Sequence, residues 1–182
     1  MTLGVQDYLA NQVATRADVL AITDSTGVAL TYRGLDVASD EVIALLKNAG
    51  VQSADRVLLL SENCAAAVAV LFACWKMGVR AVPVNARQTE TEVARVKQHA
   101  KPAAMFMTTS VSGDAQKHAN RYDAVEVSGS FGTLHMATPL GSAPDDEGDV
   151  AVLLYTTGTT GDPKGVMKSP CLRCRGRQYS GF

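Results

Sequence analysis

Residues 55–85, DRVLLLSENCAAAVAVLFACWKMGVRAVPVN, decide the fold. DRVLLL is a short continuous apolar run, the pattern of a strand buried on both faces. CAAAVAVLFACWKM, from Cys64 to Met77, is long enough for a helix, and Gly78 supplies its stop. RAVPVN, from Arg80, is a second buried strand. Strand, helix and strand at this spacing form a β-α-β unit, whose two strands lie parallel and whose crossover is right-handed.

The same alternation extends in both directions. Thr89 and Glu92 make a capping-box pattern that opens a helix through His99, and AAMFMTT from Ala103 is another apolar strand. A short helix near Gln116, a strand at YDAVEV and an exposed linker over 138–149 follow. DVAVLLYT, from Asp149, is a further buried strand. Upstream, an amphipathic helix covers Val5 to Thr15, and DVLAITD and VALTY pair as a hairpin around Ser25-Thr26-Gly27. Leu35, Ala38, Val42, Leu45, Leu46 and Ala49 recur at helical spacing, and Gly50 ends their helix. The fold class is therefore α/β, a largely parallel sheet flanked by helices.

The 182 residues are 47% hydrophobic and 19% charged, which places the chain among globular rather than disordered proteins. A net charge of −1 offers no general attraction to nucleic acid, so no nucleic-acid partner is expected. The most apolar segment, Cys64–Trp75, is shorter than the roughly 20 residues that span a bilayer. No signal or transit pattern opens the sequence, and a cytoplasmic location is the expectation. Cys64 and Cys74 read as core packing. Cys171 and Cys174 have CxxC spacing but no second pair and no nearby His, which argues against a zinc site. His99, His118 and His135 are isolated, lack metal-ligand spacing and are expected at the surface or at helix ends. Asp145, Asp146, Glu147 and Asp149 read as a solvated linker rather than a metal set.

The strand at Asp149 runs into YTTGTTGDPKGVM, Tyr155 to Met167. Ligands of open α/β sheets bind beyond the carboxyl ends of the strands. Gly158 and Gly161 permit close approach of the backbone, while Thr156, Thr157, Thr159 and Thr160 offer donors to anionic oxygens. Pro163 restricts the backbone before Lys164, which adds a positive charge. The spacing is neither the GxxxxGK[ST] pattern nor GxGxxG. Chemistry alone leaves two readings, a phosphate-binding loop of a third kind or a turn of small residues.

YTTGTTGDPKGVM resembles the phosphate-binding signature of the adenylate-forming enzymes, the superfamily of acyl-CoA synthetases, aryl-CoA ligases, luciferases and peptide-synthetase adenylation domains. Thr157 stands where the signature has serine and keeps the hydroxyl. The resemblance extends over about residues 5–168 and includes the Thr-Tyr before the long helix, the Asp-Arg-Val strand, Asn63, and Pro83 and Asn85 at a strand end. It implies the N-terminal part of the large domain of an acid-CoA ligase, fatty-acid-CoA ligase-like, with residues 1–168 forming a partial AMP-binding domain.

The resemblance also implies a chemistry. A carboxylic acid attacks the α-phosphorus of ATP with Mg²⁺ assistance, giving an acyl-adenylate and pyrophosphate, and the thiol of coenzyme A then displaces AMP. Thr156, Thr157, Gly158, Thr159, Thr160, Gly161 and Lys164 would contact the ATP phosphates. The motifs that hold adenine, ribose and Mg²⁺ in such enzymes, and most of the acid pocket, have no counterpart in these 182 residues. The expectation is a truncated chain, inactive alone, with no catalytic or metal-binding residue assigned. Residues 169–182, beginning at Ser169, depart from the family pattern and are expected to form an irregular, disordered tail, as a shifted reading frame would produce. Arg173, Arg175 and Arg177 there read as solvated. The alternative is a non-catalytic interaction protein that self-associates through an exposed sheet edge.

Overall fold

The computed structural model describes residues 4–138, 150–156 and 164–168. In chain order these form α1 (Val5–Arg16), β1 (Leu20–Thr23), β2 (Ala29–Thr31), α2 (Tyr32–Asn48), β3 (Arg56–Ser61), α3 (Ala65–Met77) and β4 (Arg80–Asn85). Then come α4 (Glu90–Ala100), β5 (Ala104–Met107), α5 (Gly113–Arg121), β6 (Val125–Gly129), β7 (Gly132–Ala137), β8 (Val152–Thr156) and β9 (Lys164–Lys168). The 138–149 linker, except for its first residue, and the 169–182 tail lie outside the described residues.

The main sheet has seven strands in the order β6-β7-β5-β3-β4-β8-β9. Its centre, β5-β3-β4-β8, is parallel, with Leu58 of β3 beside Val82 of β4 and Met105 of β5. Both edges are antiparallel, since β7 pairs with β5 and β6 with β7, while β9 pairs with β8. β1 and β2 form the expected hairpin as a separate two-stranded sheet. The sheet is thus largely parallel, but β7 and β9 were not expected. β7 lies between the strand expected at YDAVEV and the linker expected from 138, and β9 begins at Lys164.

The pleat divides the core in two. Val57, Leu59, Ala104, Phe106, Leu134 and Met136 pack with buried residues of α1, α2 and α3 on one face. Leu58, Leu60, Val82, Met105, Met107 and Leu153 pack with Val93 and Val96 of α4 and Ala115 and Ala119 of α5 on the other. Helices on both faces explain why β3 and β5 are apolar at every central position, with no alternation to read.

Local chemistry sets the helix ends. Thr31 Oγ1 accepts a hydrogen bond from Gly34 N at 3.0 Å and starts α2. The Thr89–Glu92 capping box forms as expected, with Thr89 N donating to Glu92 Oε2 at 2.8 Å. Gly78 ends α3 in the left-handed region at φ +66°, where a side chain would be strained. The start of α3 is different, because Cys64 at the N-cap makes no side-chain bond. Asp24, from the β1–β2 turn, takes that role and accepts from Ala65 N at 2.8 Å.

α3 is apolar on every side. Small residues (Ala65, Ala66, Ala69, Ala73) face the core, and Phe72 meets Trp75 edge-on with ring centroids 5.1 Å apart. Lys76 at its end reaches α2, with Nζ 2.6 Å from Asp36 Oδ1 and 2.8 Å from Asp40 Oδ1. No helix among the described residues is long and apolar enough to cross a membrane.

Candidate functional site

The carboxyl ends of β3, β4, β5 and β8 share one edge of the sheet. After β3 the chain turns to the face covered by α3, whereas after β4 and β5 it turns to the face covered by α4 and α5. Neighbouring strands whose chains leave in opposite directions open a crevice, and ligands of such sheets bind there.

Polar side chains tie the three turns together. Glu62, just past β3, makes a two-point ion pair with Arg87, just past β4, through Nε at 3.1 Å and a terminal nitrogen at 3.0 Å. Ser112, before α5, donates to Glu62 Oε1 at 3.2 Å, and Glu62 N donates to Thr108 Oγ1 at 3.0 Å. The Arg87 bond is the main reason the Glu62 carboxyl lies below the ordinary glutamate value of 4.5. Asn85 Oδ1 accepts from Arg87 N at 2.9 Å and shapes the turn that carries the arginine. On the α3 side of this edge lies a cavity of about 490 Å³, lined by Asp24, Ser61, Asn63, Cys64, Val68 and Pro83 among others.

The glycine- and threonine-rich segment meets the same edge. β8 runs parallel to β4, with Val152 beside Ala81, so Thr156 ends β8 where β4 also ends. Thr156 pairs with Lys164, the first residue of β9, so both ends of the segment are fixed in one antiparallel hairpin. Thr157, Gly158, Thr159, Thr160 and Gly161 lie outside the described residues.

Behind the sheet, Tyr155 Oη is 2.7 Å from His99 Nδ1, and the two rings meet edge-on at 5.5 Å. His99 is exposed near the end of α4, as expected. His135 lies half-buried in β7, with Nδ1 2.9 Å from Thr109 Oγ1. His118 lies in the last turn of α5, a helix-end place as expected, but not at the surface. It is buried, with Nε2 3.1 Å from Gln88 O, because Ala115, His118 and Ala119 form the inward stripe of α5. Cys64 and Cys74 are buried free thiols, as expected, and complete burial pushes Cys74 up to about 12.

The fold is a doubly covered α/β sheet with Thr156 and Lys164 paired at the edge where such sheets bind ligands. Residues 9–170 match the family of AMP-binding enzymes, and the chain belongs to that family. It is 32% identical over 168 residues to an isonitrile lipopeptide synthase of Mycobacterium tuberculosis, covering 90% of this chain and 6% of that protein. It is 34% identical over 146 residues to the fatty acid–[acyl-carrier-protein] ligase ScoC of Streptomyces coeruleorubidus, covering 78% of this chain and 28% of the ligase. Against the peroxisomal OPC-8:0-CoA ligase 1 of Arabidopsis thaliana the identity is 29%, over 92% of this chain and 33% of the ligase.

Among solved structures, the N-terminal domain of FACL13 from Mycobacterium tuberculosis shares the fold, with a TM-score of 0.70, 21% identity, and coverage of 93% of this chain and 45% of that one. ATP-bound MatB from Rhodopseudomonas palustris superposes with a TM-score of 0.68 at 25% identity, over 93% of this chain and 35% of MatB. The chain spans no more than a third of the length of these curated relatives.

Proposed function

We propose that this chain supplies the nucleotide-phosphate side of an ATP-dependent acid-CoA ligase. Thr156 to Gly161 wrap the β- and γ-phosphates of ATP through N–H and hydroxyl donors, and Lys164 neutralises part of their charge. In the complete reaction a carboxylate oxygen bonds to the α-phosphorus, and the bond from that phosphorus to the bridging oxygen breaks, releasing pyrophosphate. The thiol of coenzyme A then bonds to the acyl carbon and AMP leaves. Positioning and electrostatic stabilisation are the contributions such a loop makes.

The observation that carries the reading is the β8–β9 pairing, which sets Thr156 opposite Lys164 at the sheet edge where α/β proteins bind ligands. The donor set suits an anion. No residue of the chain is assigned to Mg²⁺ in this proposal. By this reading the chain alone gives no turnover. Acid-dependent exchange between ATP and labelled pyrophosphate tests that part, and robust exchange lost in Lys164→Ala would overturn it.

A second reading has one observation behind it. β6 is an edge strand with four of its five residues exposed, and Val125 is 65% exposed. Among the described residues no strand pairs with the outer side of β6, and an apolar side chain on such an edge invites pairing with another chain. Concentration-dependent dimers in size-exclusion chromatography, lost in Val125→Lys, would favour self-association, and a monomer at all concentrations would remove it.

A further inference from the structure

A loop that holds phosphates can be no better placed than the strands that carry it. β8 is held from three sides. β4 and β9 pair with its backbone, and Leu153 and Tyr155 seat it on the layer of α4 and α5. Leu153 is buried and contributes only apolar contact. Tyr155 adds a directional contact, its hydroxyl 2.7 Å from His99 Nδ1. α4 is itself firmly set, by its capping box and by Val93, Val96 and Ala100 buried beneath it.

We infer that His99 is a positioning residue for the nucleotide loop, acting through Tyr155. The inference rests on the proposed phosphate-binding role of that loop. Tyr155 immediately precedes Thr156, so a bond that fixes the tyrosine ring on α4 fixes the residue from which the loop departs. The pair lies on the α4 face of the sheet, with the imidazole at the end of the helix, so it acts on the loop from behind. A phenolic hydroxyl both donates and accepts, so the contact persists whether the Nδ1 position carries a proton or a lone pair.

The loss is specific. Without the bond the ring keeps its apolar packing but loses its tie to α4, so the residue from which the loop departs is held less firmly when ligand binds. That raises the cost of binding without removing any phosphate contact.

The test uses the full chain, with Tyr155→Phe, His99→Ala, the double variant, and His99→Asn, whose amide nitrogen takes the place of Nδ1. His99 is exposed and the Phe variant keeps the ring, so thermal melts should show all four folded. ATP affinity is read by calorimetry, and backbone hydrogen exchange over 150–156 is read without ligand. Each single variant is expected to bind ATP about 3- to 10-fold more weakly, as loss of one net hydrogen bond implies. The double variant should be no worse than either single, and His99→Asn should recover part of the loss. Exchange over 150–156 should rise in Tyr155→Phe and His99→Ala while that of β5 stays constant.

Wild-type binding with equal affinity in all variants, or unchanged exchange, overturns the inference. If the wild-type chain binds no ATP, the phosphate-binding reading falls. The exchange measurement still decides whether His99 orders the end of β8.

Discussion

Asp24→Ala probes how a residue of the β1–β2 turn comes to start a helix 41 positions away. The Asp24 carboxylate accepts from Ala65 N at 2.8 Å, from Thr26 N at 2.9 Å and from Thr26 Oγ1 at 2.6 Å. Loss of an N-cap acceptor costs about 1 kcal/mol, and loss of a negative charge beside a helix N-terminus costs roughly 0.3–1 kcal/mol more. Asp24→Ala should therefore lower unfolding free energy at pH 7 by about 1.3–2 kcal/mol, read from urea titrations followed by circular dichroism.

Two further variants separate the terms. Asp24→Asn keeps an acceptor and should lose only the charge part. Cys64→Ser in the Asp24→Ala background supplies a local cap and should recover roughly 0.5–1 kcal/mol. The pH dependence has a definite sign. Burial raises the Asp24 pKa, but hydrogen bonds from Thr26, Ala65 and Val28 outweigh it and leave the group below its ordinary 3.8. A lowered folded value means the contribution is present above about pH 4 and fades as pH falls through that folded value. The gap between wild type and Asp24→Ala should accordingly close in acid. A loss below about 0.5 kcal/mol at pH 7 in Asp24→Ala, with Asp24→Asn equal to it, would refute the cap.

Gly50 and Gly78 both adopt positive φ at helix ends, but a Cβ at Gly50 meets nothing within 4 Å whereas one at Gly78 lies 2.9 Å from Ser53 Oγ. Gly50→Ala should cost about 1 kcal/mol, the strain of a left-handed alanine. Gly78→Ala should cost more, and Ser53→Ala should remove the excess. In native protein Cys74 should resist iodoacetamide at pH 8, because a thiol pushed up to about 12 carries about a thousandfold less thiolate than one at the ordinary 9.0. Peptide mapping should show it labelled only in urea.

The parallel centre of the sheet was legible because residues buried on both faces leave continuous apolar runs, and because Gly78 and the Thr89–Glu92 box punctuate them in sequence. The antiparallel edges were not. Leu134 and Met136 of β7, and Phe131 just before it, are buried, but Gly132, Thr133 and His135 between them leave no continuous apolar run. β9 was hidden inside a motif read for its chemistry, and strand pairing at an edge depends on a partner elsewhere in the chain.

Of the site, composition and resemblance pointed to the loop, whose residues between Thr156 and Lys164 lie outside the described residues. The frame behind it was not legible, since Glu62–Arg87, Glu62–Ser112 and His99–Tyr155 join residues 25, 50 and 56 positions apart. His118 lies at a helix end as expected, but its burial was not legible, because it depends on the inward stripe that it shares with Ala115 and Ala119.

The segment between β8 and β9 is proposed to take the β- and γ-phosphates of ATP. Equilibrium binding of ATP, ADP and AMP to the full chain and to Lys164→Ala tests it most directly. Affinity should fall from ATP to ADP to AMP, with Lys164→Ala weakening ATP about 10- to 100-fold, as loss of one charge-assisted contact implies, and AMP hardly at all. AMP binding as tightly as ATP, or ATP binding untouched by the loss of Lys164, would contradict it.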